Sequence, residues 1–289
     1  MKPGNKAIMI HNLNKQFGIL RKNTALINVS MEIDEGRCVA IVGHNGAGKT
    51  TLLKIVSGII EKYGGTVKVS SRCGFCPENS VNFDFMKASR NLKYYYQGTN
   101  FKEDSENIFN KLKIENSSLH VKDFSKGMKR KLDIARAILS GSNILLLDEP
   151  FDGLDPVVSK ELSEIIKQLK KEGRTLLIST HQLGNLEDIA DEFYFFQKGM
   201  ILRAMNADEI SRIFAIKLKN PEISLETSKK SSYHIMGVSE GKILIRINEG
   251  YAENDIIQEI IKDGGRIEYF SRVSLNDLYL AISEGAKFV

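Results

Sequence analysis

The chain has 289 residues, 42% of them apolar and 27% charged, with a formal net charge of +5. That length accommodates one large core and a smaller appended unit, and no apolar run approaches the roughly 18–20 residues of a membrane-spanning helix. The mild positive charge would suit a face near anionic lipid or an acidic partner, and it is equally ordinary on proteins that meet neither. The opening "MKPGNKAIMIHNLNK" holds no apolar stretch of the signal-peptide kind, and three cysteines without one predict a reducing cytoplasm and no disulfide framework.

In chain order, the first decisive segment is "CVAIVGHNGAGKTTLLKIVSGII", from Cys38 to Ile60. An apolar, β-branched run predicts a buried strand, G-x-x-x-x-G-K-T follows from Gly43 to Thr50, and a helical pattern comes next. Strand, glycine loop and helix form the context that a phosphate-binding loop needs. Gly43, Gly46 and Gly48 let successive N–H groups bend toward phosphate oxygens, with a positive helix end aimed at the same anion. Lys49 is placed for the β/γ phosphates and the Thr50 hydroxyl for Mg²⁺.

"GTVKVSSRCGF" alternates as strands do, and it ends in a C-x-x-C pair, Cys73 and Cys76. In a strand, positions i and i+3 face opposite ways. No second C-x-x-C and no nearby His completes a tetrahedral zinc site. The two thiols are therefore expected to be small packing residues, with no structural zinc. From Asp84 the chain reads as helices with aromatic spacing. Tyr94, Tyr95 and Tyr96 cannot all face one core, so they form either a docking surface or satellite packing.

"NILLLDEPFDGLDP" predicts a second buried strand, Ile144 to Leu147, ending in Asp148 and Glu149. Ligands bind at the C-terminal ends of parallel strands in open α/β sheets. Asp148 is expected to hold Mg²⁺ through its hydration shell, and Glu149 to orient or deprotonate the attacking water. Asp155 and Pro156 then open an amphipathic helix that Gly173 stops. "TLLIST" is a third strand and ends in His181, a candidate γ-phosphate contact. Near Ser211–Ser232 the pattern loosens into what reads as a linker. "KILIRIN", "AENDIIQEIIKDGG", "RIEYFSR" and "SLNDLYLAISEG" then predict a small β-α-β-α unit, with Ser274 as the last helix cap.

Together these segments resemble the nucleotide-binding subunit of an ATP-binding-cassette (ABC) transporter. "GHNGAGKTT" is similar to its Walker A, "ILLLDEP" to its Walker B, "GLDP" to its D-loop, "STH" to its H-loop, and "FSKGMKRKLDIARAIL" to its signature segment. The likeness runs from about Ile8 to about Ile210. It implies an α/β chain with a P-loop NTPase fold, an ABC-type antiparallel β subdomain and a helical subdomain at about residues 84–138, plus a small C-terminal α/β unit. The implied division is 1–212 for the ATPase domain and 221–289 for the accessory domain.

Position by position, the resemblance implies nucleotide binding by Asn45, Ala47 and Thr51 beside Gly43, Gly46, Gly48, Lys49 and Thr50. It also implies adenine stacking by Phe17, whose other reading is a core residue. Lys49, Glu149 and His181 become the catalytic set, and Thr50, Glu78 and Asp148 the metal set. Ser125, Lys126, Gly127 and Met128 fall where the signature reaches the nucleotide of an opposite subunit, and Asp155 falls where the D-loop links the two sites.

Two departures stand out. The signature reads Ser-Lys-Gly-Met rather than Ser-Gly-Gly-Gln, as in bacterial exporters of drugs, antimicrobial peptides and ions. Glu78 occupies the Q-loop glutamine position, where an ionised carboxylate offers acceptors only. The expectation is a cytoplasmic-face ATPase using ATP and Mg²⁺, paired with a second ATPase subunit (a copy or a paralogue) and an integral membrane permease. The rival is a soluble ABC ATPase acting on nucleic acid or the ribosome. Such members carry two cassettes, coiled coils or zinc modules, none of which is visible, so no nucleic-acid partner is expected.

Overall fold

The computed structural model describes residues 5–18, 22–96, 101–114, 118–220, 232–239 and 241–284, with the backbone alone at 101–103 and 183. The chain divides into two compact units, Met1–Ile201 and Leu202–Val289.

The first unit opens with two long strands, β1 (Lys6–Phe17) and β2 (Asn23–Asp34), followed by β3 (Cys38–Val42), helix α1 (Lys49–Val56), β4 (Gly64–Val69) and β5 (Cys73–Cys76). Helices α2 (Ala88–Tyr95), α3 (Phe101–Lys111) and α4 (Lys126–Leu139) come next. They are succeeded by β6 (Ile144–Asp148), α5 (Pro156–Lys171), β7 (Thr175–Thr180), β8 (Glu192–Gln197) and β9 (Met200–Asn206), whose end lies in the second unit.

Two sheets result. β2-β1-β4 is antiparallel, and β5-β6-β7-β3-β8-β9 is six-stranded. Its first five strands run parallel. β3, β6 and β7 are buried at every position, which explains why their sequences are continuous apolar runs rather than alternating ones. Leu52, Leu53 and Ile55 of α1 close a core with Ile41, Leu146 and Leu177.

The parallel order sets the site. The segments after β5, β6, β7 and β3 are those that carry Glu78, Glu149, His181 and Gly43, so four neighbouring strands deliver their C-terminal ends to one edge.

The second unit holds α6 (Ala207–Ser211), β10 (Ile213–Leu218), β11 (Tyr233–Ser239), β12 (Lys242–Ile247), α7 (Glu253–Lys262), β13 (Ile267–Arg272) and α8 (Leu275–Ser283). Its sheet runs β11-β12-β10-β13, antiparallel throughout. Ser274 caps α8, its Oγ accepting from Asp277 N at 3.1 Å, as its sequence predicts.

One expectation is corrected here. β10 lies inside the stretch read as a linker, yet it is an interior strand of this sheet. Ile213, Phe214, Ala215 and Ile216 are all buried, and Phe214 stacks on Phe270 with ring centroids 5.2 Å apart. The flanking Lys and Asn residues hid a short run that is apolar because it is covered on both faces. Residues 221–231 of that stretch lie outside the described ones.

Candidate active site

The loop after β3 folds as tightly as its glycines allow. A Cβ on Gly43 would stand 2.6 Å from the Phe196 carbonyl oxygen. Gly48 sits at φ +105°, where a Cβ would meet the Ala25 carbonyl oxygen at 2.5 Å, so another residue there would be both strained and blocked. Gly48 is also the N-cap of α1 and offers no side chain to its first turn. The leading N–H groups of that helix therefore remain for an external anion.

Lys49 is 5% exposed. Its ammonium donates to the carbonyls of Gly43 at 2.5 Å and His44 at 3.2 Å, and lies 2.9 Å from Glu149 Oε1. The last contact is an ion pair rather than an aligned hydrogen bond, since Oε1 has no hydrogen-bond partner.

The acids at the end of β6 are held differently from each other. Asp148 Oδ1 accepts from Ser179 Oγ at 2.6 Å and from Thr50 Oγ1 at 3.2 Å. Burial raises the Asp148 carboxyl above the ordinary carboxylate range, against the pull of the two hydroxyls. Its second oxygen, Oδ2, is buried without a hydrogen-bond partner.

Glu149 has φ +46°, uncommon for a residue with a side chain. Its N–H donates to Ser179 Oγ at 2.9 Å, and its Oε2 accepts from His181 N at 3.1 Å and faces His181 Nδ1 at 2.8 Å. A carboxylate only accepts, so this contact puts the imidazole proton on Nδ1.

The surrounding pocket encloses about 430 Å³ and is lined by Phe17, Asn45, Ala47, Thr51, Glu78 and Glu149, with Gly46, Gly48, Lys49 and Thr50. Phe17 is 42% exposed at the end of β1, with Lys15 Nζ 4.7 Å from its ring centre, so the core reading of Phe17 is set aside. Asn23, Thr24 and Ala25 of β2 line the pocket as well and were not foreseen.

Ser125, Lys126, Gly127, Met128 and Asp155 do not line it. Ser125 caps α4, its Oγ accepting from Met128 N at 3.2 Å. Lys126 pairs with Asp152 at 3.3 Å, and Asp152 Oδ1 lies 3.9 Å from His181 Nε2. Ser179 and Asp152 are thus two residues the sequence reading passed over. Ser179 is an ordinary strand serine until β6 and β7 are paired, Asp148 beside Ser179.

Cys73 and Cys76 stand on β5 with alternating burial, and burial pushes both thiols up to about 11. At neutral pH they are protonated and poor ligands or nucleophiles.

The donor set fits Mg²⁺. Among the described residues no three His, Cys, Asp or Glu side chains form an all-protein cage. Mg²⁺ is usually bound by one or two carboxylates together with substrate phosphates and water. The partnerless Asp148 Oδ2 beside the Thr50 hydroxyl supplies that kind of half-site.

Comparison with known proteins agrees with this geometry. A family profile described as ABC transporter matches residues 26–152. The chain is 38% identical over 221 residues to an uncharacterized ABC transporter ATP-binding protein of Methanocaldococcus jannaschii, covering 74% of this chain and 82% of that one. It is 36% identical over 206 residues to the lantibiotic transport ATP-binding protein SrtF of Streptococcus pyogenes, covering 68% and 89%. An uncharacterized ABC transporter ATP-binding protein of Bacillus subtilis, YxlF, is 26% identical along 95% of this chain.

Among solved structures, the dimeric bacterial ABC transporter cassette MJ0796 superposes with a TM-score of 0.64 at 22% identity, over 69% of this chain and 98% of that one. That likeness speaks for the fold. No helix among the described residues is long and apolar enough to cross a membrane. With a P-loop, two strand-end acids and a buried lysine converging as described, the chain belongs to the ATP-binding proteins of ABC transporters and is an ATPase of that type.

Proposed function

We propose that this chain hydrolyses MgATP at a site completed by a second ATPase subunit, and so drives export through a separate integral membrane permease at the cytoplasmic face. The observation that carries the reading is a division. Lys49, Thr50, Asp148, Glu149 and His181 are joined by direct contacts around one P-loop pocket, while Ser125 to Met128 lie outside it. Ser125 to Met128 touch this cluster only through the Lys126–Asp152 pair, which suits the segment to another chain's nucleotide.

In this reading the loop amides and Lys49 bind the β/γ phosphates, Phe17 stacks on the base, and Glu149 orients the attacking water and takes its proton. His181 is fixed by Glu149 and faces the terminal phosphate. Thr50 and Asp148, with Glu78 across the pocket, would hold Mg²⁺, which when bound neutralises phosphate charge. The signature of the partner closes over the γ-phosphate, and hydrolysis releases it.

Export is supported by the lantibiotic transport relative and by the Ser-Lys-Gly-Met signature. A permease is supported by an exposed aromatic cluster. Phe85 is 82% exposed and Tyr94 69%, with Phe83 and Tyr94 edge to face at 5.2 Å. So large an apolar exposure is suited to a docking partner.

The test is Glu149→Gln. It should keep ATP binding, lower turnover by about 10²–10⁴-fold and accumulate an ATP-bound dimer in light scattering. Turnover at the wild-type rate would overturn the role of Glu149.

A further inference from the structure

The signature helix carries a buried cation with no assigned task. Arg130, in the second turn of α4, is 5% exposed. Its guanidinium donates to the carbonyls of Pro77 and Glu78, both at 2.7 Å, and of Glu149 at 3.3 Å. It also lies 3.6 Å from Cys76 Sγ. One planar fork therefore holds two loops: the one after β5, which carries Glu78, and the one after β6, which carries Glu149.

The Glu149 end is the informative one. A side-chain-bearing residue at φ +46° persists only when its surroundings over-determine it. Ser179 takes the N–H of Glu149, and the Glu149 carbonyl accepts both from Asp152 N inside the loop, at 3.1 Å, and from Arg130 outside it, so both flanking peptide planes have an anchor outside the loop. Those planes set the direction of the Glu149 side chain. α4 begins at Ser125 and Lys126, the segment placed for a partner's nucleotide, and Arg130 stands one turn further along the same rigid rod.

We propose that Arg130 is a positioning residue that locks the Glu78 loop and the Glu149 peptide to the signature helix, so that any displacement of that helix by a partner's nucleotide is delivered to the hydrolytic carboxylate. The proposal rests on the reading of Glu149 given above. A neutral side chain of similar length takes the donor from the Pro77 and Glu78 carbonyls and leaves the Glu149 carbonyl only the turn bond from Asp152 N, at 3.1 Å. A lysine supplies donors but no fork.

The experiment compares the full chain with Arg130→Met and Arg130→Lys, by amide hydrogen exchange and by MgATP kinetics. In Arg130→Met, exchange across residues 76–80 and 148–153 should rise together by about tenfold or more, while α1 keeps its protection. kcat should fall by about tenfold or more with KM within about threefold, and Arg130→Lys should recover part of both. A merely structural role would instead lower the melting temperature and move KM, kcat and exchange everywhere in parallel, and would overturn the proposal. So would two loops that loosen while kcat stays within about twofold of wild type. If Arg130→Met does not fold, Arg130→Lys decides by the same criteria. Wild-type turnover in Glu149→Gln would sink the reading beneath the proposal, and paired loosening of the two loops would still show the brace.

Discussion

Lys49 is held by groups of its own chain, and a phosphate at the loop would compete with them for its ammonium. Its ammonium sits on the Gly43 carbonyl and against Glu149, both side chains almost wholly buried. Taking one member from a buried ion pair strands the other charge, at about 3–5 kcal/mol. Lys49→Ala should therefore do two things. It should abolish detectable binding of ADP in titration calorimetry, and it should lower the unfolding free energy measured in urea by an amount near that range. Undiminished ADP affinity would refute the phosphate role. Lost affinity with unchanged stability would show that water enters and solvates Glu149 once the lysine is gone.

Among the elements, the segments that resemble a D-loop and a signature meet at two helix starts. Asp155 Oδ1 accepts from Val157 N at 3.0 Å and Val158 N at 2.9 Å, so the carboxylate caps α5 within its own chain. A Cβ on Gly127 would stand 2.7 Å from Val158 Cγ1, so the first turn of α4 rests directly on the first turn of α5. Asp155→Ala should cost about 1 kcal/mol in chemical denaturation, and Asp155→Asn, another good cap, a few tenths at most. An Asp155→Asn chain that keeps its stability but loses ATPase activity would separate the cross-site role from the capping one. If both variants lose activity only in proportion to stability, Asp155 is a cap and nothing more.

Sequence made this region readable because cap, proline and strand-end acids lie in one short segment, each with local chemistry. It left Arg130 and Ser179 unreadable for the opposite reason. Their partners lie 52 and 31 positions away, at Glu78 and Asp148, and only the packing of α4 on β5 and the parallel pairing of β6 with β7 bring them near. Likewise Phe17 could not be told from a core residue until β1 was seen to end at the pocket mouth.

At the scale of the whole molecule, the placement of β10 decides where the chain can be cut. A cut after residue 220 would keep β10 and remove β11, β12 and β13. Ile213, Phe214 and Ile216 would lose their cover, at about 1.5–3 kcal/mol each, and both backbone edges of the strand would be open. A cut after Asn206 keeps β9 whole in its sheet and removes β10 with its partners. The shorter fragment, 1–206, should therefore be the better behaved: monomeric without nucleotide in light scattering, and binding ADP within about threefold of the full chain. The longer one, 1–220, should self-associate through the bare strand. Equal behaviour of the two would mean that β10 does not need its sheet, against its burial on both faces. With the clean fragment in hand, the role of residues 207–289 becomes measurable. Equal ATPase rates and equal ATP-driven dimerisation would leave that unit a packing element, whereas loss of dimerisation alone, with turnover per dimer preserved, would make it a clamp that holds two cassettes together.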